Sequence, residues 1–244
     1  TVIIGMASHR QIGDTVSIGQ RQMGYLFAFT YGFSTSRTEG STGRVQMVDT
    51  DPSPDAENYQ ADWRENRDLE TATMEALWGT LGSVSFELHE NHDITLVAFY
   101  AQSGEERNQV VTGYLESEGL DTRSTRLQFL ERSLFFGQVI GDHRHIGWDP
   151  GIRITWRFDT AWMQRNEPDM RDLIYEERET DYAWRNIGTS GDRSFSDLNQ
   201  YDLGGSIDIR IPIGVPTLRL GGTIRYSNRE FSTRRFSMEN AADN

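Results

Sequence analysis

The chain has 244 residues, of which 36% are hydrophobic and 25% charged, with a formal net charge of −13. This acidic balance argues against a nucleic-acid partner, because a phosphate backbone calls for clustered Lys and Arg. Cysteine is absent, which removes disulfides, Cys-based zinc sites and thiol nucleophiles, and all 24 basic residues are Arg.

The chain opens on Thr1-Val2-Ile3-Ile4 with no basic leader, so it is expected to be a processed product or a piece of a larger protein. Residues 1–8 and 14–19 read as strand segments. From Tyr25 to Phe33 every second residue is aromatic: Tyr25, Phe27, Phe29, Tyr31 and Phe33. Side chains alternate across a strand, so one face is aromatic and the other carries Leu26, Ala28, Thr30 and Gly32. Strands of weaker pattern follow at 72–88 (Trp78, Val84, Phe86, Leu88), 94–103 (Leu96, Ala98, Tyr100) and 126–142 (Leu134, Phe136, Ile140). Three segments then alternate almost without fault. Ile152, Ile154, Trp156, Phe158, Thr160 and Trp162 oppose Arg153, Thr155, Arg157, Asp159 and Ala161. Tyr201, Leu203, Ile207, Ile209 and Ile211 oppose Asp202, Asp208 and Arg210, and Leu218, Leu220, Ile224 and Tyr226 oppose Arg219, Thr223 and Arg225.

Short turns are expected at Glu90–Asp93, His143–Gly151 and Pro212–Pro216, and long polar loops at 36–71, 104–125, 163–198 and 229–244. Pro52, Pro54, Pro168, Gly188 and Gly191 fall in the long loops, and Pro168 reads as the end of a strand. No stretch approaches the ~20 apolar residues of a membrane helix. The pattern is all-β: a transmembrane antiparallel β-barrel with short periplasmic turns and long extracellular loops. A soluble sandwich or propeller competes, but gives no reason for loop lengths to sort by end. Seven clear strands are too few to close a barrel, for which eight is the smallest usual count. Residues 1–244 therefore read as part of one larger barrel domain.

Several segments in order resemble the barrel domain of TonB-dependent outer-membrane receptors. They are Gly24-Tyr25-Leu26-Phe27-Ala28, Gly79-Thr80-Leu81-Gly82-Ser83-Val84 and Asn91-His92-Asp93-Ile94-Thr95-Leu96. Further on come Glu131-Arg132-Ser133-Leu134 through Gly141-Asp142-His143-Arg144, Arg165 through Arg171, and Phe231 through Phe236. The resemblance implies about 22 strands, an N-terminal plug and a periplasmic energy-coupling protein that acts on it. The plug, the coupling segment and a terminal aromatic strand are not in this stretch. It implies residence in a Gram-negative outer membrane, with lipid and lipopolysaccharide as neighbours. Uptake of a scarce nutrient is implied, whether siderophore, cobalamin, glycan or peptide, with a surface lipoprotein as a further partner.

On this reading Tyr25, Phe27, Phe29, Tyr31, Phe33, Trp156, Phe158, Trp162, Ile207, Ile209 and Tyr226 face lipid. Arg153, Arg157, Asp159, Asp202, Asp208, Arg210, Arg219 and Arg225 face the lumen. There the arginines either pair with Asp159, Asp202 and Asp208 across neighbouring strands, or line an anion path or hold a plug. The segment after Trp162 offers Asp169, Arg171, Tyr175, Tyr182, Trp184 and Arg185 as ligand-binding candidates, since aromatics stack and Arg grips oxyanions in pairs of bonds. His89, His92, His143 and His145 lie on turns without a converging ligand set, so no metal is expected. Asp49, Asp51, Asp55, Glu57, Asp62, Glu65, Asp68 and Glu70 lack the EF-hand spacing and read as a solvated face. No enzyme motif is found and no cofactor is expected; a hydrolase would have to draw on Ser133, Asp142 and His143. Two other readings stand beside uptake. One is a non-transporting barrel that docks partners in a surface assembly. The other is a soluble glycan-binding sheet using Trp162, Tyr182 and Trp184.

Overall fold

Residues that alternate by twos form strands here, and the strands run further than the alternation does. The computed structural model describes residues 1–19, 21–49, 59–148 and 151–238, and contains no helix among them. The strands are β1 (Val2–Ile18), β2 (Arg21–Asp49), β3 (Tyr59–His89), β4 (His92–Leu115), β5 (Leu120–Ile146), β6 (Ile152–Glu177), β7 (Tyr182–Trp184), β8 (Asp192–Pro212) and β9 (Thr217–Ser237). They make one antiparallel sheet in the order β1-β2-β3-β4-β5-β6-β8-β9, with β7 paired to the end of β6. Among the described residues β1 and β9 are free edges and the sheet is not closed. The segments expected at 1–8 and 14–19 are parts of one continuous strand, Val2–Ile18.

The long polar loops expected from the sequence are mostly strand. β2 and β3 have 29 and 31 residues and pair from Met23↔Phe86 to Asp49↔Tyr59. β4 and β5 pair up to Leu115↔Leu120, closed by a turn in which the Glu118 and Gly119 amides donate to the Leu115 carbonyl. Gly119 adopts φ 69°, the left-handed region that glycine enters without strain. These extensions carry polar side chains on both faces, so no alternation marks them in the sequence. Backbone ladders and side-chain pairs such as Arg37–Glu70 (3.0 Å) hold them instead. Asp51, Pro52, Pro54, Asp55 and Glu57 lie outside the described residues.

Pro168 does not end its strand. Two residues of β6 stand against one of each neighbour here, Glu167 and Pro168 against Leu130 of β5, and Pro168 and Asp169 against Phe195 of β8. Proline gives no N–H to a ladder and is tolerated at a bulge. The bulge exchanges the two faces, so even positions before it and odd positions after it share a side. Leu130, opposite the bulge, is 5% exposed and is the one buried large apolar residue among those described. Among the described residues the sheet therefore has no core between layers.

Candidate functional site

The register sorts the side chains into an aromatic face and a polar face. Tyr25, Val84, Leu96, Val139, Phe158, Gly205 and Ile224 stand in one row across seven strands. Phe29, Thr80, Tyr100, Phe135, Trp162, Tyr201 and Asn228 form a second row on the same face. Phe27, Tyr31, Phe33, Trp156, Ile207, Ile209 and Tyr226 lie on this face too. A row of Gln102, Ser133, Gln164, Asn199 and Glu230 borders it on the far side from the short turns. No described residue covers it: Phe27, Phe158, Trp162 and Ile224 are exposed. Contiguous apolar patches of this extent are rare on soluble monomers.

The band drifts as it crosses the sheet. Followed straight across by pairing, Phe33 of β2 leads to Ser232 of β9, yet the apolar run in β9 stops at Tyr226, six residues earlier. At its other border Met23 leads to Gly222, while the run in β9 begins at Leu218, four residues earlier. Spread over six strand-to-strand steps, at about 3.3 Å per residue and about 4.8 Å between strands, this is a tilt of roughly 25–35°. Membrane barrels tilt about 35–45°. Along β6 the band runs from Ile154 to Trp162, roughly 26 Å at 3.3 Å per residue, against the ~25 Å apolar band of such barrels.

On β5 the register alone assigns the faces. Leu134, Phe136 and Ile140 lie on the polar face, and Phe135, Gly137, Val139 and Gly141 on the aromatic one. With apolar residues at both parities, only pairing to β4 and β6 decides which side each takes.

All eight residues assigned to the lumen share the polar face. Arg153, Arg210 and Arg219 are directly opposite one another on β6, β8 and β9. Like charges so placed repel, and carboxylates relieve two of the three. Asp142 accepts from Arg153 Nε and Nη2 at 2.8 Å each, and Asp208 accepts from Arg210 Nε at 3.1 Å. The expected partners were Asp159, Asp202 and Asp208; only Asp208 is used, within its own strand rather than across strands. Among the described residues Arg157, Arg219 and Arg225 have no carboxylate within 4.0 Å. Arg153, Arg157 and Arg210 line a cleft of ≈ 580 Å³ with Thr155, Ser206 and Thr223.

The turn histidines are joined to the band. Trp156 Nε1 donates to His143 Nε2 at 3.0 Å, which leaves the proton of the neutral ring on His143 Nδ1, 3.0 Å from His92 Nδ1. The Trp156 indole lies over Gly141, where a methyl group would overlap it. Among the described residues no group of three or more His, Asp or Glu side chains converges as a metal site.

The six binding candidates after Trp162 are divided between faces. Tyr175 pairs with Trp184 and Glu177 with Tyr182, which puts the three aromatics on the aromatic side, beyond the band. Arg123 lies over the Tyr182 ring, 5.6 Å from its centre. On the same side Asp169 accepts from Arg171 Nε (2.7 Å) and Arg193 Nη2 (2.9 Å). The Arg171 bond, then the Arg193 bond, holds the Asp169 carboxyl below the usual range. Arg185 instead reaches Glu176 on the polar side at 2.9 Å. Buried Ser190 anchors this segment: its Oγ accepts from the Ile174 amide (2.9 Å) and donates to the Ile174 carbonyl (3.2 Å). Two neighbours on the polar face went unforeseen, Arg126 with Asp172 (2.6 and 2.8 Å) and Arg235 with Asp192 (2.9 Å). Their positions lack alternation, so only the register reveals the pairs. The Arg235 bond keeps the Asp192 carboxyl low.

Other candidate groups are not assembled. Asp142 and His143 point to opposite faces, and Ser133 lies ten residues along β5 from His143, roughly 33 Å. Glu65 is buried and paired with Arg67 at 3.3 Å. Trp162 lies in the band, thirteen residues along β6 from Tyr175, the partner of Trp184. No family model matches the chain, and no curated protein matches it.

Proposed function

We propose that this chain is part of the wall of a TonB-dependent outer-membrane receptor, with its aromatic face against lipid and its polar face toward the lumen. The short turns then lie in the periplasm and the strand extensions rise outside the cell. Solute binds from the outside and passes an energised plug. The observation that carries this reading is the drifting apolar band without a covering layer. Backbone groups within hydrocarbon must be paired, so the free edges of β1 and β9 require further strands of a larger barrel. The resemblance in sequence supplies the transport step, and the cleft of the polar face lined by Arg153, Arg157 and Arg210 supplies a surface for a solute.

Refolding of the full-length protein tests this. It should require detergent or lipid, and the folded form should migrate faster than the heated form on a gel. A monodisperse monomer in plain buffer would end the proposal.

One observation favours docking in a surface assembly as a second reading. β2 and β3 pair alone beyond Arg37 and Asp68, where β1 and β4 stop, as a ribbon with Val45, Met47 and Trp63 exposed. An isolated two-stranded ribbon is marginal in water, and a surface lipoprotein is the partner this reading names. Deleting the ribbon tip separates the two, abolishing assembly in one case and leaving uptake intact in the other.

A further inference from the structure

We infer that the polar face binds an amphipathic anion, an apolar body bearing two carboxylate-like groups, in the cleft around Leu134 and Met163. The inference rests on the uptake reading and names the class of solute taken. The cleft measures ≈ 410 Å³ and lies midway along the strands, level with the border of the apolar band that is farther from the short turns. Its volume falls within the ~300–1,000 Å³ of small-molecule sites.

Two features of the cleft are costly without an occupant. The first is charge. Arg132 and Arg165 are directly opposite on β5 and β6, and Arg229 follows two strands on, opposite Gln200. Like charges in direct cross-strand register destabilise a sheet. The nearby carboxylates are held more closely by other donors. Glu105 is 2.7 Å from Arg107 but 3.4 Å from Arg132. Glu167 accepts from Ser196 at 2.9 Å while Arg165 stands 3.7 Å away. Arg229 places Nε and Nη2 on the neutral Gln200 oxygen at 2.8 and 2.6 Å, with no carboxylate within 4.0 Å among the described residues. The second feature is apolar surface. Leu77 and Met163 are 43% and 38% exposed on the same face as Arg132, Arg165 and Arg229. A planar guanidinium offers two parallel bonds to a carboxylate. Three such forks around an apolar floor fit a solute with a greasy body and anionic ends.

The test uses the full-length protein folded in lipid nanodiscs and calorimetric titration with naphthalene-2,6-dicarboxylate. The diacid should bind, with 2,6-naphthalenedimethanol and succinate each at least ten-fold weaker. Arg132→Gln with Arg165→Gln should weaken the diacid at least ten-fold while gel migration of the folded form is unchanged. Should that variant fail to fold, raising salt on the unsubstituted protein replaces it, because charge-based binding must weaken. Diol and diacid binding alike, a double variant without effect, or no salt dependence overturns the site. Absence of diacid binding in a protein that still needs lipid to fold removes this site and leaves the barrel reading standing. A protein that folds without lipid removes the barrel reading, and titration in buffer then decides the site alone.

Discussion

Phe158→Arg and Ala161→Arg put the same cation on one strand, three residues apart, on opposite faces of the sheet. Phe158 is 50% exposed and sits midway between Ile154 and Trp162, the ends of the apolar band on β6. An Arg at the bilayer midplane of a barrel costs about 2–4 kcal/mol. Withdrawing a Phe ring from apolar surroundings adds about 1.5–3 kcal/mol. The expected loss is therefore about 3.5–7 kcal/mol, which at about 1.4 kcal/mol per factor of ten is between about three hundred- and a hundred thousand-fold in the folding equilibrium. Ala161 pairs with Phe136 and Asp202 on the polar face. An Arg there meets water and the Asp202 carboxylate, and should change stability by less than about 1 kcal/mol in either direction. Equilibrium unfolding in guanidinium from lipid vesicles, followed by tryptophan fluorescence and by heat-modifiable migration, measures both. Equal costs for the two variants, or a tolerated Phe158→Arg, would refute the assignment of faces.

Gly141→Ala should cost about 1–3 kcal/mol, since the added methyl displaces the Trp156 indole and breaks its bond to His143; a changed Trp156 emission spectrum accompanies the loss. Ser190→Ala leaves the Ile174 amide without its side-chain acceptor, a loss of about 1–2 kcal/mol, read as faster proteolytic nicking within 178–189. The depressed carboxyls of Asp169 and Asp192 stabilise the hairpins they join above the ordinary carboxylate pKa, and that contribution fades as pH falls through their lowered values. Amide protection factors around residues 169–172 and 191–193, corrected for the intrinsic pH dependence of exchange, should therefore hold steady at pH 5–7 and fall only in more acid solution. Asp169→Asn should raise exchange at pH 7 and flatten that dependence.

The parts of the fold legible in the sequence are those where one face is aromatic or aliphatic and the other polar. Tyr25–Phe33, 152–162, 201–211 and 218–226 alternate because each lies in the band, and all are strands. Outside the band both faces carry polar side chains, so Thr38–Asp49 and Asp169–Glu177 show no period and read as loops although they are paired. Pro168 misled for a local reason, since the same missing N–H that ends a strand also suits a bulge. β5 holds apolar residues at both parities because Leu134, Phe136 and Ile140 line the polar face rather than the band. The Arg153–Asp142 bond depends on register between strands, which no pattern within either strand encodes. The same holds for the Arg132–Arg165 juxtaposition, which becomes visible only once β5 and β6 are aligned.

Because the 244 residues contain no cysteine, single cysteines can carry a nitroxide label at each position from Arg153 to Trp162 in turn. Power saturation in lipid vesicles then compares collisions with oxygen, which concentrates in hydrocarbon, and with a water-soluble nickel chelate. Oxygen should dominate at 154, 156, 158, 160 and 162 and nickel at 153, 155, 157, 159 and 161, a two-residue oscillation along one strand. Even positions shielded from both reagents would mean that a second protein layer packs on these rings, and the membrane account would be wrong.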